Sequence, residues 1–194
     1  MHRAITLRPA AQSTVLLSAL LLSTLLFLST SLFTPAAQSQ SATPAGSGTE
    51  VVLHAEDAAK LLPPAVFFRG QSATTQVRNS GGVRFQDGFY LLASLVDTSG
   101  YSTGVQAKYQ ACLLTEVPIE INGKRLPAGA YGVGFIAGNK FDVLDIGAHD
   151  IFTVDSVRDM DMRRPTPLQV QAAPEAHRYR LYSGRSYVTI ARAD

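Results

Sequence analysis

The chain has 194 residues, with 17 Lys and Arg against 15 Asp and Glu, one cysteine and no tryptophan. A single cysteine excludes a framework of disulfides within the chain. Because Arg3 and Arg8 lie in an N-terminal segment that reads as a leader, fifteen charges of each sign remain outside it. Nothing in that balance indicates the basic face that contacts to phosphates require, so no nucleic-acid partner is expected.

The N-terminal segment has the order of a secretory signal. Basic residues precede an apolar run at 15–33, and the small residues of "TPAAQSQSA" follow it. This order predicts a signal peptide over residues 1–39 and export to the periplasm or the extracellular space. The run approaches the ~20 residues that span a bilayer as a helix, so an uncleaved anchor is the alternative. Only in that case is contact with a membrane expected.

Residues 40–50 are rich in Gln, Ser, Ala, Gly and Thr and predict a flexible linker. The remaining residues, 51–194, have the length of one domain. Their first element is a short helix within "HAEDAAKLLPP", because the acidic residues Glu56 and Asp57 open it and Pro63 and Pro64 end it. Cys112 lies in an apolar stretch and is predicted to be a buried core residue.

From residue 65 onwards the hydrophobic period is two, with Gly-rich turn signals about every ten residues. Ten strands are predicted, at 65–69, 74–78, 89–96, 107–115, 131–137, 141–146, 151–154, 168–171, 179–182 and 187–190. Many short strands at regular spacing indicate an all-β fold, with a single antiparallel β-sandwich as the prediction and a small β-barrel as the alternative.

The stretch "EINGKRLPAGAYGVGFIAGNKFDVL" contains two turns and two alternating runs. Asn122 and Gly123 favour a tight hairpin, because both tolerate positive φ. In the next run Tyr131 shares one face with Val133 and Phe135, and we expect this bulky face to enter the core. The opposite face is nearly bare. Another part of the chain packed on it is the expected reason, and a ligand is the alternative.

The residues "INGKRLPAGAYGVGF" resemble the turn-and-strand element of small exported bacterial β-sandwich domains of unknown function, in which a Leu-Pro-Ala-Gly-x-Tyr segment enters a core strand. The closing "PLQVQAAPEAHRYRLYSGRSYVTIA" resembles the last strands of such domains. The resemblance covers about a quarter of the chain. It implies a β-sandwich and an exported location, and it supplies no catalytic residues.

One motif points to catalysis. "GYSTG" at 100–104 fits the G-x-S-x-G pattern, and Ser102, Asp145 and His177 follow the chain order of a hydrolase triad. The motif requires a strand that leads into the serine and a helix that leaves it. Here "DTSG" intervenes, and a Gly/Ser/Thr hairpin loop accounts for the same residues. A small exported hydrolase is therefore the alternative function, with no catalytic residue assigned in the main hypothesis.

Acidic residues recur in the second half of the domain, and His149 lies among them. They are Asp142, Asp145, Asp150, Asp155, Asp159 and Asp161. Their spacing matches no calcium loop, and alternating acids are typical of a solvent-facing strand. We therefore predict neither a metal site nor a cofactor.

Arginine and tyrosine interleave near the C-terminus. Arg178, Arg180, Arg185 and Tyr182 are the candidate binding residues, because such side chains hold anionic or sugar polymers through charge-assisted bonds and ring contacts. The same alternation describes one wet and one dry strand face. The leading hypothesis is an exported, non-catalytic β-module that binds an unidentified partner protein or an anionic envelope or cell-wall polymer.

Overall fold

The computed structural model describes residues 48–193. The predicted signal peptide, 1–39, and residues 40–47 of the predicted linker lie outside the described residues. Within residues 48–193, no helix is long and apolar enough to cross a membrane.

The described chain is all-β, with two helices of one turn each, α1 (Ala55–Ala58) and α2 (Thr103–Gln106). The strands of the first half are β1 (Val51–Leu53), β2 (Ala65–Phe68), β3 (Gln71–Arg84), β4 (Tyr90–Val96), β5 (Ala111–Thr115), β6 (Ile119–Ile121) and β7 (Lys124–Leu126). Those of the second half are β8 (Gly129–Ile136), β9 (Lys140–Leu144), β10 (Asp150–Asp155), β11 (Val157–Arg158), β12 (Thr166–Ala172), β13 (Arg178–Gly184) and β14 (Ser186–Arg192).

These strands form two antiparallel sheets. The larger sheet has eight strands in the order β1-β3-β4-β5-β8-β9-β10, with β2 paired to β3. The smaller sheet has six, in the order β12-β13-β14-β6-β7, with β11 paired to β14. The inner faces of both sheets share one apolar core, in which Leu113 and Val133 of the larger sheet join Leu181 and Val188 of the smaller. This is the predicted sandwich-like architecture, and neither sheet of the described chain closes into a barrel.

The outer face of the larger sheet is also buried. Leu92 of β4 packs with Leu53, Ala58 and Leu62, in and around α1. Cys112 of β5 belongs to a second cluster on the same face, together with Phe68, Ala73, Val96, Tyr101, Val105, Tyr109 and Leu144. The β2–β3 hairpin, α1 and the α2 segment thus cover the sheet like a partial third layer. The predicted burial of Cys112 is confirmed.

The stretch 120–144 folds as its turn residues require. Asn122 and Gly123 have φ of 46° and 81° and close the hairpin of β6 and β7. The bare face of β8 is covered by protein: a Cβ on Gly132 would lie 2.4 Å from the Phe68 ring. The packing interpretation is therefore confirmed. Tyr131 lies against the core but is only half-buried, so the prediction of a full core residue was too strong.

Two local predictions were wrong. A strand was expected over 107–115, but α2 and a loop precede β5, which starts only at Ala111. The side chains of Val105 and Tyr109 are buried against the larger sheet, and this packing overrides their β propensity. The Gly-rich residues "NSGG" at 79–82 are one of the expected turn signals, but they lie within β3 at a register shift. A Cβ on Gly81 would meet the Val170 backbone nitrogen at 2.9 Å, so this glycine permits a close approach of β12.

Candidate functional site

The outer face of the smaller sheet carries polar and aromatic side chains. On β13, Tyr179 and Leu181 enter the core, so Arg180 and Tyr182 lie on the opposite face, where Arg180 is half-buried and Tyr182 is only 2% exposed. The expected alternation of a solvent-facing and a core-facing side therefore holds for Arg178 and Arg180 but not for Tyr182. Gln171 is the cross-strand neighbour of Arg180, and Gln169 and Tyr187 are those of Tyr182. Among residues 48–193, no helix or hairpin covers this face in the manner of α1 and β2, so these residues form the candidate site.

Arg180 is held by an aromatic ring. Its Cζ lies 4.4 Å from the centroid of the Tyr187 ring, and its Nη1 donates to the Tyr182 hydroxyl at 3.4 Å. The rings of Tyr182 and Tyr187 pack with centroids 5.1 Å apart. Within residues 48–193, the buried Nε of Arg180 has no hydrogen-bond partner. Stacking on Tyr187 therefore orients the plane of the Arg180 guanidinium, and the group donates one long hydrogen bond, to the Tyr182 hydroxyl.

The segment 159–164 forms a rim beside this face. Arg185 fixes it by donating from Nη1 to the carbonyl oxygens of Met160, at 3.1 Å, and Met162, at 2.7 Å. The Tyr182 hydroxyl donates to Asp159 at 2.9 Å. Burial raises the pKa of Tyr182, and the bond to the Asp159 carboxylate raises it further, against the lowering effect of Arg180. Arg185 and Tyr182 thus support the rim.

The rim and the sheet together enclose an open groove of about 650 Å³, which we call the outer-face groove. Its rim residues include Arg163 and Arg164, and its floor includes Gln169 and Gln171. The Gln171 amide donates to the Gln169 side-chain oxygen at 3.0 Å. Gln171 pairs with Arg180 across the strands, so the Arg180–Tyr187 pair lies next to the floor of the groove. Arginine and amide side chains therefore line the groove, and the ring–cation pair lies beside it.

Arg178 and His177 lie elsewhere, in a separate cleft at the start of β13. His177 Nδ1 lies 2.8 Å from Glu50 Oε2, which also accepts a hydrogen bond of 2.6 Å from the Tyr179 hydroxyl. Burial raises the pKa of Tyr179 well above its usual range, and the bond to Glu50 adds to the rise. Of the four predicted binding residues, the structure brings together Arg180 and Tyr182, places Arg185 beneath the rim, and separates Arg178.

The predicted triad has no hydrogen bond between any two of its members in the described chain. Ser102 is the N-cap of α2, in a 160 Å³ pocket with Leu144 and Ala148, and its side chain makes no capping bond. Asp145 bonds to His149 instead, with Oδ2 2.9 Å from Nδ1. Hydrogen bonds from the His149 backbone and side chain lower the pKa of Asp145. A short helix does leave Ser102, unlike the expected hairpin loop. The hydrolase alternative stays a prediction.

Asp142 is the exception in the acidic series, because Asp150, Asp155 and Asp161 are exposed, as was expected. Asp142 is 1% exposed; it accepts a hydrogen bond of 2.8 Å from Thr153 and lies 3.5 Å from the Lys108 ammonium group. Lys108 also binds Asp150, whose pKa it lowers by hydrogen bonding. Among residues 48–193, no three His, Cys, Asp or Glu side chains are placed so that they could hold a metal ion.

Several residues of the site were missed by sequence reasoning. Gln169 and Gln171 alternate with the buried Leu168 and Val170, so their place on an outer face could have been deduced from the period of two. The pairing of Glu50 with His177 and that of Asp159 with Tyr182 have no such signal in the sequence, because the two residues of each pair lie far apart along the chain.

Comparison of the chain with protein-family models, with curated proteins and with solved structures finds no match.

Proposed function

We propose that this protein is an exported, non-catalytic β-module that binds an extended anionic polymer of the cell envelope in the outer-face groove. One observation carries the proposal: the larger sheet has a covered outer face, whereas the smaller sheet presents an open groove of about 650 Å³ with arginines at its rim. An open depression suits a chain-like ligand better than a small molecule that must be enclosed.

The charges around the groove favour an anionic ligand. Arg163 and Arg164 at the rim are cationic, as is Arg180 beside the groove, and Asp159 and Asp161 are acidic. Asp159 already accepts hydrogen bonds from Tyr182 and from the Asp161 backbone. The guanidinium groups are therefore the groups with donors to offer, and such planar forks bind carboxylates and phosphates well. The glutamine amides can bond hydroxyl groups between the charges.

The test is the affinity of residues 48–194 for polygalacturonate, a linear acidic polysaccharide, with neutral dextran as the matched control. We expect binding to the acidic polymer alone, weakened about tenfold in the double variant Arg163→Gln/Arg164→Gln, because charge-assisted bonds are lost. Arg84→Gln, on β3 and outside the groove, is the control variant and should bind normally. Equal binding to dextran, or unchanged binding by the double variant, would contradict the proposal.

Ionic strength gives a second readout. Raising the salt from about 0.1 M to about 1 M shortens the screening length from about 10 Å to about 3 Å, so binding in this exposed groove should weaken. Affinity that does not change with salt would indicate an apolar partner surface, as expected for a protein partner.

The exported location is proposed from the N-terminal signal pattern, with basic residues, an apolar run at 15–33 and small residues thereafter. Mass spectrometry of the full-length protein after expression in a bacterium tests it. A mature protein that begins within 37–40 is expected. Retention of residues 1–33 would replace the cleaved signal with a membrane anchor.

A further inference from the structure

A second concave site lies at the start of β13, where Glu50, the β3–β4 turn, the β12–β13 turn and the end of β14 meet. This end cleft encloses about 560 Å³, within the range of small-molecule sites. It is lined by residues of both charge signs, which include His177, Arg178, Asp87 and Arg192. None of these residues lines the outer-face groove.

Most charges in the end cleft already have partners. Glu50 Oε2 receives both the His177 ring and the Tyr179 hydroxyl, and only 17% of the Glu50 side chain is exposed. Asp87 is bound by Arg192 and by the Phe89 backbone nitrogen at 3.3 Å. Burial opposes ionisation of Asp87, but these hydrogen bonds outweigh it and lower its pKa. Both acids are therefore satisfied within the protein.

Arg178 is the exception. It is exposed at the cleft, and no side-chain hydrogen bond or ion pair reaches it from residues 48–193. Asp87 and Arg192 cancel in charge, and the Glu50 carboxylate is bound by two donors of the protein, so Arg178 is the charged group of the cleft that has no partner among residues 48–193. A ligand group with a single negative charge suits this one guanidinium better than a dianion does.

His177 is held in a fixed orientation beside Arg178. Because a carboxylate can only accept, the shared hydrogen lies on Nδ1, and Nε2 is turned away from Glu50. The backbone of His177 has a φ of 59°, in a region that non-glycine residues seldom adopt. His177 and Arg178 both line the end cleft, so Nε2 of His177 is a second polar group available in it.

We propose that the end cleft binds the terminal carboxylate of a short peptide, with Arg178 as the counter-ion. The Gln86 side chain can donate to and accept from a peptide group, which a peptide ligand offers and a simple carboxylic acid does not. Ala176 and Ala191 leave space for small ligand side chains. This site is independent of the polymer groove and extends the proposed binding role to a second ligand class.

The test uses acetyl-alanyl-alanine and its C-terminal amide, which differ only in the charge of the end group. Amide NMR shifts of residues 48–194 should report binding of the acid, localised to the β12–β13 turn and the end of β14, and about tenfold weaker binding of the amide. Arg178→Gln should reduce affinity for the acid by about the same factor. Arg164→Gln, in the groove, is the matched control and should leave it unchanged.

Three outcomes would overturn the proposal: equal binding of acid and amide, full affinity in Arg178→Gln, or shifts outside the cleft. Glucuronate, a sugar acid of similar size, tests whether the cleft prefers the carboxylate of a sugar to that of a peptide. Tighter binding of glucuronate than of the dipeptide would overturn the peptide assignment. Because Arg178→Gln should leave polygalacturonate binding intact, failure here is distinguishable from failure of the groove proposal.

Discussion

The outer faces of the two sheets of this domain differ: that of the larger sheet is covered by other parts of the chain, and that of the smaller sheet has an open groove. On the larger sheet, the Phe68 ring stacks on Tyr109 with centroids 3.7 Å apart and covers the bare Gly132 backbone. On the smaller sheet, Arg180 stacks on Tyr187 at the surface. Both faces therefore contain paired rings or ring–cation contacts, but among residues 48–193 only the first is covered by a helix and a hairpin; on the second, Tyr182 is buried while Arg180 and Tyr187 are half-buried. We attribute stability to the covered face and binding to the open one.

The difference shows what a bare strand face means. Gly132 and Gly134 alternate with large side chains, and their Cβ positions are occupied by Phe68 and by the Lys108 carbonyl. The glycines let a second layer of the chain lie directly on the sheet. By contrast, the outer faces of β12 and β13 present the polar side chains of Gln169, Gln171 and Arg180, beside which lies the open groove.

The largest effect is expected for Phe68→Ala. Phe68 is 2% exposed and contacts Gly132, Tyr101 and Tyr109, so its truncation leaves a cavity beneath the β2–β3 hairpin. The free energy of unfolding should fall by about 3–5 kcal/mol, as measured by urea denaturation. Phe67→Ala is the matched control, because the neighbouring Phe67 is 65% exposed. Similar effects of the two variants would show that the hairpin is not a structural cover.

The reactivity of the Cys112 thiol measures how well the β2–β3 hairpin and the α2 segment cover the larger sheet. Burial raises the pKa of this thiol to about 11. Because the raised pKa keeps the thiol protonated at pH 8, and because the hairpin blocks access, native protein should react with a thiol reagent at least about a hundredfold more slowly than unfolded protein. The rate of modification with and without urea measures this. Equal rates would mean that the cover opens freely in the native state.

Gly132→Ala should have a smaller effect. The added methyl group would meet the Phe68 and Tyr109 rings at 2.4 Å and 2.9 Å, and these packed rings must shift to admit it. Overpacking of this kind typically costs about 1–3 kcal/mol. Thermal or urea unfolding measures the loss. Gly104→Ala is the control, since no atom lies within 4 Å of its Cβ position. A neutral Gly132→Ala would indicate that the covering layer moves away easily.

The smallest effect on stability is expected for Arg180→Gln, on the open face. A cation–π contact near the surface contributes about 0.5–1 kcal/mol, so the unfolding midpoint should move little. Affinity for polygalacturonate should nevertheless fall about tenfold, because a stacked guanidinium is lost beside the groove. A large loss of stability would show that Arg180 is mainly structural.

Much of the fold follows from local sequence, since the period of two and the turn residues specify strands and hairpins. Asn122 and Gly123 are the clearest case, because their positive φ is a property of the residues themselves. The cover of β8 could be deduced from its glycines, although the covering residue could not. In contrast, α2 forms because Val105 and Tyr109 find a buried surface, which is tertiary information.

The candidate sites were only partly predictable for the same reason. Side chains of β13 alternate between the two faces of the sheet, so the sequence predicts that Arg180 lies on the face opposite the core. However, Glu50 and His177 are 127 residues apart, and Tyr182 and Asp159 are 23 apart; neither pair has a local signal. The register of the smaller sheet decides that Gln171 stands beside Arg180. Charge pattern alone could not separate Arg178, in the end cleft, from Arg180, beside the groove.

The most direct test of the division between a covered and an open face is a map of backbone amide shifts during titration of residues 48–194 with polygalacturonate. We expect the amide shifts to change mainly in 159–164, β12, β13 and β14, and the shifts of β2, α2 and β8 to stay unchanged. Shifts centred on β2, α2 or β8 would place binding on the covered face and contradict the account, as would the absence of any shift at concentrations where the acidic polymer is in large excess.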